Sequence, residues 1–274
     1  MLPDYLTKSR SCLESSSRRR CQSIYLGDAT ALCRVLGKYK MYVSTQDIGI
    51  TPHLCLEGHW EAWVTLALAR MLQAGWYCVD VGANHGYYTL IMADAVGQAG
   101  RVLAVEPNPA LANLLRRNVD VNGFTGYTAV IEKAVSDVCG ATVSLVVEAS
   151  KSINGSLFRE ATESDTVFDV NTTTVDVLTQ DWSQVDLIKL DAEGAEESIW
   201  QGMASTLEKH SKIIVIMEFN ALKYPQPQVF LSNLKKQGFP LRYIDYNSAI
   251  TEVSESQLIE NPAGTDWMLY LQRE

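Results

Sequence analysis

"WYCVDVGANHGYYTLIMADAVG", Trp76 to Gly97, decides the fold. An apolar run ends at Asp80–Val81, glycines follow at 82 and 86, and an apolar stretch of helical length runs on to Val96. That order describes a buried strand turning sharply into a helix. Gly82 permits the turn and the close approach of a ligand. Gly86 lets the helix start tight against the sheet, with free N–H groups and the positive end of its dipole facing the crevice. Outward from this turn the alternation repeats. Strand-like runs are Arg101–Glu106, Tyr127–Val135, Val185–Asp191, Lys212–Phe219, Leu241–Asp245 and Trp267–Gln272. Helix-like runs such as "PALANLLRRNVDVNG" and "AEESIWQGMASTLEKH" lie between the earlier ones. Near-continuous apolar strands with helical crossovers predict an α/β fold, a mostly parallel sheet covered by helices on both faces.

Two parts flank the core of this pattern. Residues 1–75 are polar, basic at Arg18–Arg20, and irregular until "EAWVTLALARMLQ" (Glu61–Gln73) shows helical spacing. They read as an N-terminal helical cap or arm, and as a candidate surface for a homodimer. Residues 76–274 form the core, interrupted at about 140–182. There "ATVSLVV" and "TVFDVNTTTVDVL" look like extra strands around a polar, turn-rich loop.

Composition narrows the function classes. Of 274 residues, 47% are hydrophobic, enough for a sizeable core and too many for a disordered chain. A net charge of −9 argues against a nucleic-acid partner or an anionic membrane, which would want a basic face. No apolar run reaches the roughly 18–20 residues needed to span a bilayer. The first residues lack the apolar centre of a secretory signal, and Asp4 and Glu14 argue against an organelle presequence. Six cysteines without a C-x-x-C pair fit a reducing compartment, so a cytoplasmic location is expected.

The ligand on the turn follows from its neighbours. Glu106 ends the next strand, 24 residues past Gly82, where an acid accepts both ribose hydroxyls. An NAD-dependent oxidoreductase would share that acid but would want G-x-G-x-x-G, whereas the run here is G-A-N-H-G. Asp80 would also meet a pyrophosphate badly. It suits a ligand with a ribose, an ammonium and no phosphate, such as S-adenosylmethionine. A non-catalytic binding protein is the other rival, and the retained Asp80, Gly82, Glu106 and Asp191 argue against it.

In order, "VDVGANHGYYTLIMADAVG", "GRVLAVEPNP", "NVDVNGF", "KAVSD" and "DLIKLDAEGAEESIWQGM" resemble the FkbM-type S-adenosylmethionine-dependent O-methyltransferases, from Val79 to Met203. The resemblance implies a Rossmann-like class I methyltransferase with a seven-stranded sheet whose last strand, "WMLYLQ", is antiparallel. It implies methyl transfer from S-adenosylmethionine, leaving S-adenosylhomocysteine, to a hydroxyl of a small sugar or polyketide-like acceptor.

Site residues follow from both readings. Asp80, Gly82, Asn84 and Gly86 are expected on the methionine side and Glu106 on the ribose. Pro107, Asn108, Ala134, Val135 and Ser136 are expected around the adenine. The run "KLDAEGAE" packs Lys189, Asp191, Glu193 and Glu196 into eight residues at a strand end, and such groups are costly to bury unpaired. Asp191 and Glu193 are therefore the catalytic candidates. His85 is the candidate base by its ordinary pKa of ~6.5. Glu61 resembles the family's pre-core entry and is expected near the donor. Trp60 is a candidate wall for the acceptor. His53 and His59 read as surface or core groups. A metal-assisted transferase with Asp191, Glu193 and Glu218 as oxygen ligands is an alternative, with no dedicated metal motif to support it. Ser152, Asn154 and Ser156 are candidates for hydrogen bonds to the acceptor from the inserted loop.

Overall fold

Ahead of the glycine turn the chain builds more than a helical cap. The computed structural model describes residues 2–147, 155–156, 162, 165–260 and 264–273. Helix α1 (Arg10–Arg20) leads into an antiparallel sheet of β1 (Ser23–Gly27), β2 (Thr30–Val35) and β3 (Tyr39–Ser44), then helices α2 (Ile50–Leu56) and α3 (Ala62–Met71). The sheet is a correction to the sequence reading. "TALCRV" and "YKMYVS" bury alternate residues, the period-two signature of strands. Nor is this segment a loose arm. Leu6, Leu13, Val35, Leu36, Met41 and Val43 are fully buried in one cluster with Leu90, Ile91 and Leu115 of the core. Lys38 and Tyr39 both reach Asp94, at 2.5 and 2.9 Å.

The core alternates as expected through β4 (Tyr77–Val81), α4 (Tyr87–Val96), β5 (Arg101–Val105), α5 (Pro109–Val121) and β6 (Thr128–Ile131). The run Tyr127–Val135 does not continue as one strand. It breaks at Glu132–Lys133, and β7 (Ala134–Val135) leaves to pair with the insertion. There β8 (Thr142–Val147), β9 (Gly155–Ser156) and β10 (Thr166–Thr173) complete a small sheet in the order β7-β10-β8-β9. Ser152 and Asn154 lie outside the described residues; Ser156 is placed by its backbone pairing with Val146.

The chain then returns through α6 (Val175–Thr179), β11 (Leu187–Leu190), α7 (Glu196–Gln201), α8 (Ala204–Lys209) and β12 (Ile214–Phe219). It ends with α9 (Pro227–Lys236), β13 (Arg242–Ile244), β14 (Ile250–Glu252), α10 (Glu255–Ile259) and β15 (Trp267–Leu271). The large sheet runs β14-β13-β15-β12-β11-β4-β5-β6. It has eight strands, one more than the seven expected, because β14 adds an antiparallel edge to β13. Strand β15 is antiparallel to β12, as the resemblance implied. Strand order reverses beside β4: β5 and β6 lie on one side, β11 and β12 on the other. A crevice opens beyond the carboxyl ends at such a reversal.

Candidate active site

The ends of β4 and β11 interlock at that crevice. The Asp191 N–H donates to the Val81 carbonyl at 3.1 Å, and the Gly82 and Ala83 N–H groups donate to Val105 at 3.0 and 3.1 Å. Gly82 sits at φ +73°, and a Cβ there would lie 1.7 Å from the Asp191 carbonyl oxygen. Gly86, at φ +92°, would push a Cβ to 2.3 Å from Leu115 Cδ1, so the glycine lets α4 start against α5.

Beyond these strand ends lies a cavity of about 320 Å³. Its volume is at the small end for ligand sites. One half is walled by Val105, Pro107, Leu111, Ala134, Val135 and Leu145, beside Glu106 and Lys133. The other half is walled by Trp60, Glu61, Tyr88, Lys189, Asp191, Glu193, Glu218, Lys223 and Asp266.

Glu106 is buried at the first half. Its oxygens accept the Asn84 N–H at 2.8 Å and the Asn108 N–H at 3.0 Å. Burial pushes its carboxyl up to about 7, against the pull of those two amides. Asn108 itself caps α5, accepting the Ala110 N–H at 3.0 Å, with Pro109 at the first helical position. Asn108 and Ser136 do not line the cavity: the Ser136 side chain bonds Val138.

At the centre a buried cation joins the two halves. Lys189 donates to Asp191 Oδ2 at 2.9 Å and lies 4.7 Å from the Tyr88 ring centroid. Burial would lower its pKa, but Asp191 and Asp80 outweigh burial and push it up. Asp80 lies beneath the cavity floor. Its Oδ2 accepts the Thr89 hydroxyl at 2.6 Å, while the buried Oδ1 has no hydrogen-bond partner. Burial raises its carboxyl.

In the second half the side chains pair with one another. Glu61 begins α3 at φ 35°, ψ 64°, a left-handed conformation that is strained for a residue with a Cβ. Its Oε2 accepts the Tyr88 hydroxyl at 2.6 Å. Burial pushes Glu61 up to about 7, with the Tyr88 hydrogen bond acting against it. Lys223 bridges Glu218 at 2.7 Å and Glu193 at 3.0 Å, with Asp266 at 3.8 Å. Burial, then the Asp191 charge, pushes Glu218 up to about 9.

The candidates thus separate by placement. Gly82, Asn84, Glu106, Pro107, Ala134, Val135, Asp191, Glu193 and Glu61 come together at the cavity. Gly86 packs behind it on Leu115, and Glu196 turns away to accept the Ala192 N–H and the Tyr224 hydroxyl, at 2.8 Å each. His85 lines the cavity too, but its ring differs from its expected role. Its fully buried ring accepts the Ser44 N–H through Nε2 at 3.1 Å, and burial holds its pKa down to about 4. That ring ties β3 to the glycine turn and has no free Nε2 lone pair for a substrate proton. His53 is half exposed, its ring tilted against Trp60 with centroids 5.1 Å apart, and His59 is buried against Glu57. The three acids considered as oxygen ligands are taken by ammonium groups, Lys189 on Asp191 and Lys223 on Glu193 and Glu218. No group of three or more His, Cys, Asp or Glu able to hold a metal ion occurs among the described residues.

Tyr88, Leu111, Lys133, Leu145, Lys223 and Asp266 escaped the sequence reading. Asp266 was within reach. A residue that precedes an antiparallel strand lands at the carboxyl ends of its parallel neighbours, and Trp267 pairs with Phe219 at the end of β12.

The family model for the methyltransferase FkbM domain matches residues 80–241. The chain belongs to this family. Its donor is S-adenosylmethionine. The FkbM chain is also 43% identical over 75 residues to the protein-L-isoaspartate O-methyltransferase of Aeropyrum pernix, covering 26% of this chain and 28% of that one. A shorter match, 34% over 56 residues, joins it to the same enzyme of Methanococcoides burtonii, over 20% of this chain and 28% of that one. The FkbM chain therefore spans little more than a quarter of these curated relatives. Among solved structures, a SAM-dependent O-methyltransferase of Thermotoga maritima is 16% identical, with a TM-score of 0.41 over 77% of this chain and 64% of that one. P. horikoshii TYW2 in complex with MeSAdo is 14% identical, with a TM-score of 0.47 over 90% and 71%.

The cavity suits that donor. A carboxylate held by two backbone amides keeps further lone pairs for ribose hydroxyls. The apolar wall beside it suits an adenine. Anionic groups around Asp191, with the orphaned Asp80 oxygen below, suit an ammonium and a sulfonium. No described helix is long and apolar enough to cross a membrane.

Proposed function

We propose that the chain methylates a hydroxyl oxygen of a small polar acceptor of the sugar or polyketide-like kind. The observation that carries this reading is the placement of Glu61: its carboxyl lies in the half of the cavity away from Glu106, held by the Tyr88 hydroxyl at 2.6 Å and pushed up to about 7 by burial. A group with that pKa is poised to take a proton at neutral pH. When bound, S-adenosylmethionine supplies a methyl group already activated by its sulfonium. The chain has to orient the acceptor oxygen at near-attack distance, exclude water and accept one proton. Glu61 takes the hydroxyl proton, with Tyr88 fixing its other oxygen. Asp191, clamped by Lys189, holds the cationic end of the donor. Glu193, Glu218, Asp266 and Lys223 offer acceptors and a donor for the remaining hydroxyls. The excess of carboxylates over ammonium groups at this end disfavours a phosphate-bearing acceptor.

The test uses methyl-labelled S-adenosylmethionine and a panel of monosaccharides, polyols and macrolides, with an isoaspartyl peptide alongside. The expected product is an alkali-stable methyl ether. Label found only in an alkali-labile ester of the peptide would overturn the hydroxyl acceptor and favour a carboxyl one.

A further inference from the structure

The N-terminal sheet ends in an open strand. In the order β1-β2-β3, β1 lies at the edge, with β2 as its one neighbouring strand among the described residues. Its Ile24, Tyr25 and Leu26 are 61%, 64% and 50% exposed. Successive side chains leave a strand on opposite faces, so apolar surface is open on both faces of β1. Consecutive large apolar side chains left in water mark an interaction site. Edge strands are usually protected by lysine, by proline or by a bulge. The run "SIYLG" holds neither residue, and its bulge falls between Tyr25 and Gly27, after Ser23, Ile24 and Tyr25.

The backbone of this edge is open too. The Arg34 N–H donates to the Gln22 carbonyl at 2.8 Å, so Gln22 faces β2. By the alternation of an antiparallel pair Ile24 faces β2 as well, opposite Leu32. The N–H and C=O groups of Ser23 and Tyr25 therefore point away from the sheet.

We propose that β1 pairs with β1 of a second copy of this chain, antiparallel, with the two-fold axis at Ile24. Ser23 of each copy then faces Tyr25 of the other, and the two residues exchange both backbone hydrogen bonds. Ile24 meets Ile24 across the axis, with Leu26 of each copy beside it on the same face. Charge selects a second copy as the occupant. Arg20 and Asp28 are both exposed and equally distant along the chain from Ile24. The strand is thus basic at one end and acidic at the other, and the antiparallel contact sets each arginine opposite an aspartate. An axis at Tyr25 would set Arg20 opposite Thr30 and run the ladder through the bulge. A contact built on five residues falls short of the ~800 Å² per partner of a standard interface, so the dimer is weak, with a Kd on the order of 10 μM.

The experiment is sedimentation of the full-length protein from about 1 to 200 μM, a range that brackets that Kd. A reversible monomer–dimer equilibrium is expected. Monomer throughout the range, or open-ended growth past the dimer, would overturn the two-fold contact. Ile24→Lys sets two ammonium groups against each other at the axis and should raise the Kd at least about tenfold. Its site is exposed and lies outside the cavity, so S-adenosylhomocysteine affinity should not change. A wild-type Kd in this variant would place the interface elsewhere and overturn the proposal. The register is read by cross-linking, which needs no loss of association. Under mild oxidation Ile24→Cys should link two copies of the same peptide, since residues opposite each other at such an axis have Cα atoms about 4.5 Å apart. Tyr25→Cys should link several-fold more slowly. The reverse order, or no link from either variant, would overturn the axis at Ile24.

Discussion

The two halves of the cavity are built from different materials. Around Glu106 the walls are apolar and its hydrogen-bond partners are backbone amides of the glycine turn and of the α5 start. Around Lys223 the partners are side chains bound to side chains, from the β11–α7 turn, the end of β12 and the residue before β15. A site made of backbone is fixed once the fold is fixed. A site made of side chains can be changed one residue at a time while the sheet stays as it is. The first arrangement suits a donor that does not vary, and the second an acceptor that does.

The sharpest way to break this contrast is at Gly82. Gly82→Ala places a Cβ on the Asp191 carbonyl in a backbone region that L side chains rarely adopt. Stability should fall on the order of 4 kcal/mol, read from the urea midpoint, with S-adenosylhomocysteine binding lost as well. A wild-type midpoint would show that the two strand ends do not interlock. Next is Lys189→Met, which leaves Asp191 and Asp80 without their buried counter-ion. About 3 kcal/mol should be lost at pH 7, and the deficit should shrink at acid pH, where a protonated Asp80 needs no partner. A deficit constant with pH would point to packing instead. Third, Glu106→Gln should keep the fold and weaken S-adenosylhomocysteine by about 30-fold, close to 2 kcal/mol, in a calorimetric titration. Unchanged affinity would move the ribose elsewhere.

The same contrast explains what the sequence disclosed. The strand-glycine-helix turn and Glu106 are legible because they are contiguous and obey backbone rules. The break at Glu132–Lys133 was hidden, since a short apolar run does not say which sheet it joins. The β1–β3 sheet was hidden by a polar composition that masked its period of two. Tyr88 reads as an ordinary member of an apolar helix, and Lys223 as a loop cation. Their roles exist only once Glu61, Glu193 and Glu218 arrive from distant parts of the chain. His85 misled for a related reason: its commitment to Ser44 depends on a strand the sequence did not reveal.

A smaller effect tests the shared acidity of the two halves. Glu61 and Glu106 are raised from 4.5 to about 7, and Glu218 to about 9, in each case first by burial. A carboxyl whose folded pKa is raised binds its proton more tightly in the folded state. That contribution to stability is fully present below the unfolded value of about 4.5 and is lost as pH rises through about 7 and onward to 9. The raised lysines titrate above this window and do not offset it. Thermal unfolding at pH 5, 7 and 8.5 should show Tm falling, with a shallower fall when S-adenosylhomocysteine brings its ammonium to the acids. A free protein growing more stable across that range would contradict the buried-acid picture.

The smallest expected change concerns Glu193, and it sets the two halves directly against each other. In the donor half a left-handed position is occupied by Gly82, where nothing larger fits. In the half proposed for the acceptor Glu193 holds φ 52°, a conformation glycine would adopt more easily. Glu193→Gly should therefore relieve about 0.5–1 kcal/mol of backbone strain. Against that stands the loss of its ion pair with Lys223, which is partly exposed and contributes roughly 0–1 kcal/mol. The two nearly cancel, so the urea midpoint should stay within about 0.5 kcal/mol of wild type, and S-adenosylhomocysteine affinity should be unchanged. What should fall is transfer to a hydroxylated acceptor found in the labelled panel, through a raised KM. On that outcome the strain is held for the sake of the carboxylate, not the fold. A variant that is clearly less stable, with an unaltered KM, would assign Glu193 to the scaffold and remove it from the acceptor half.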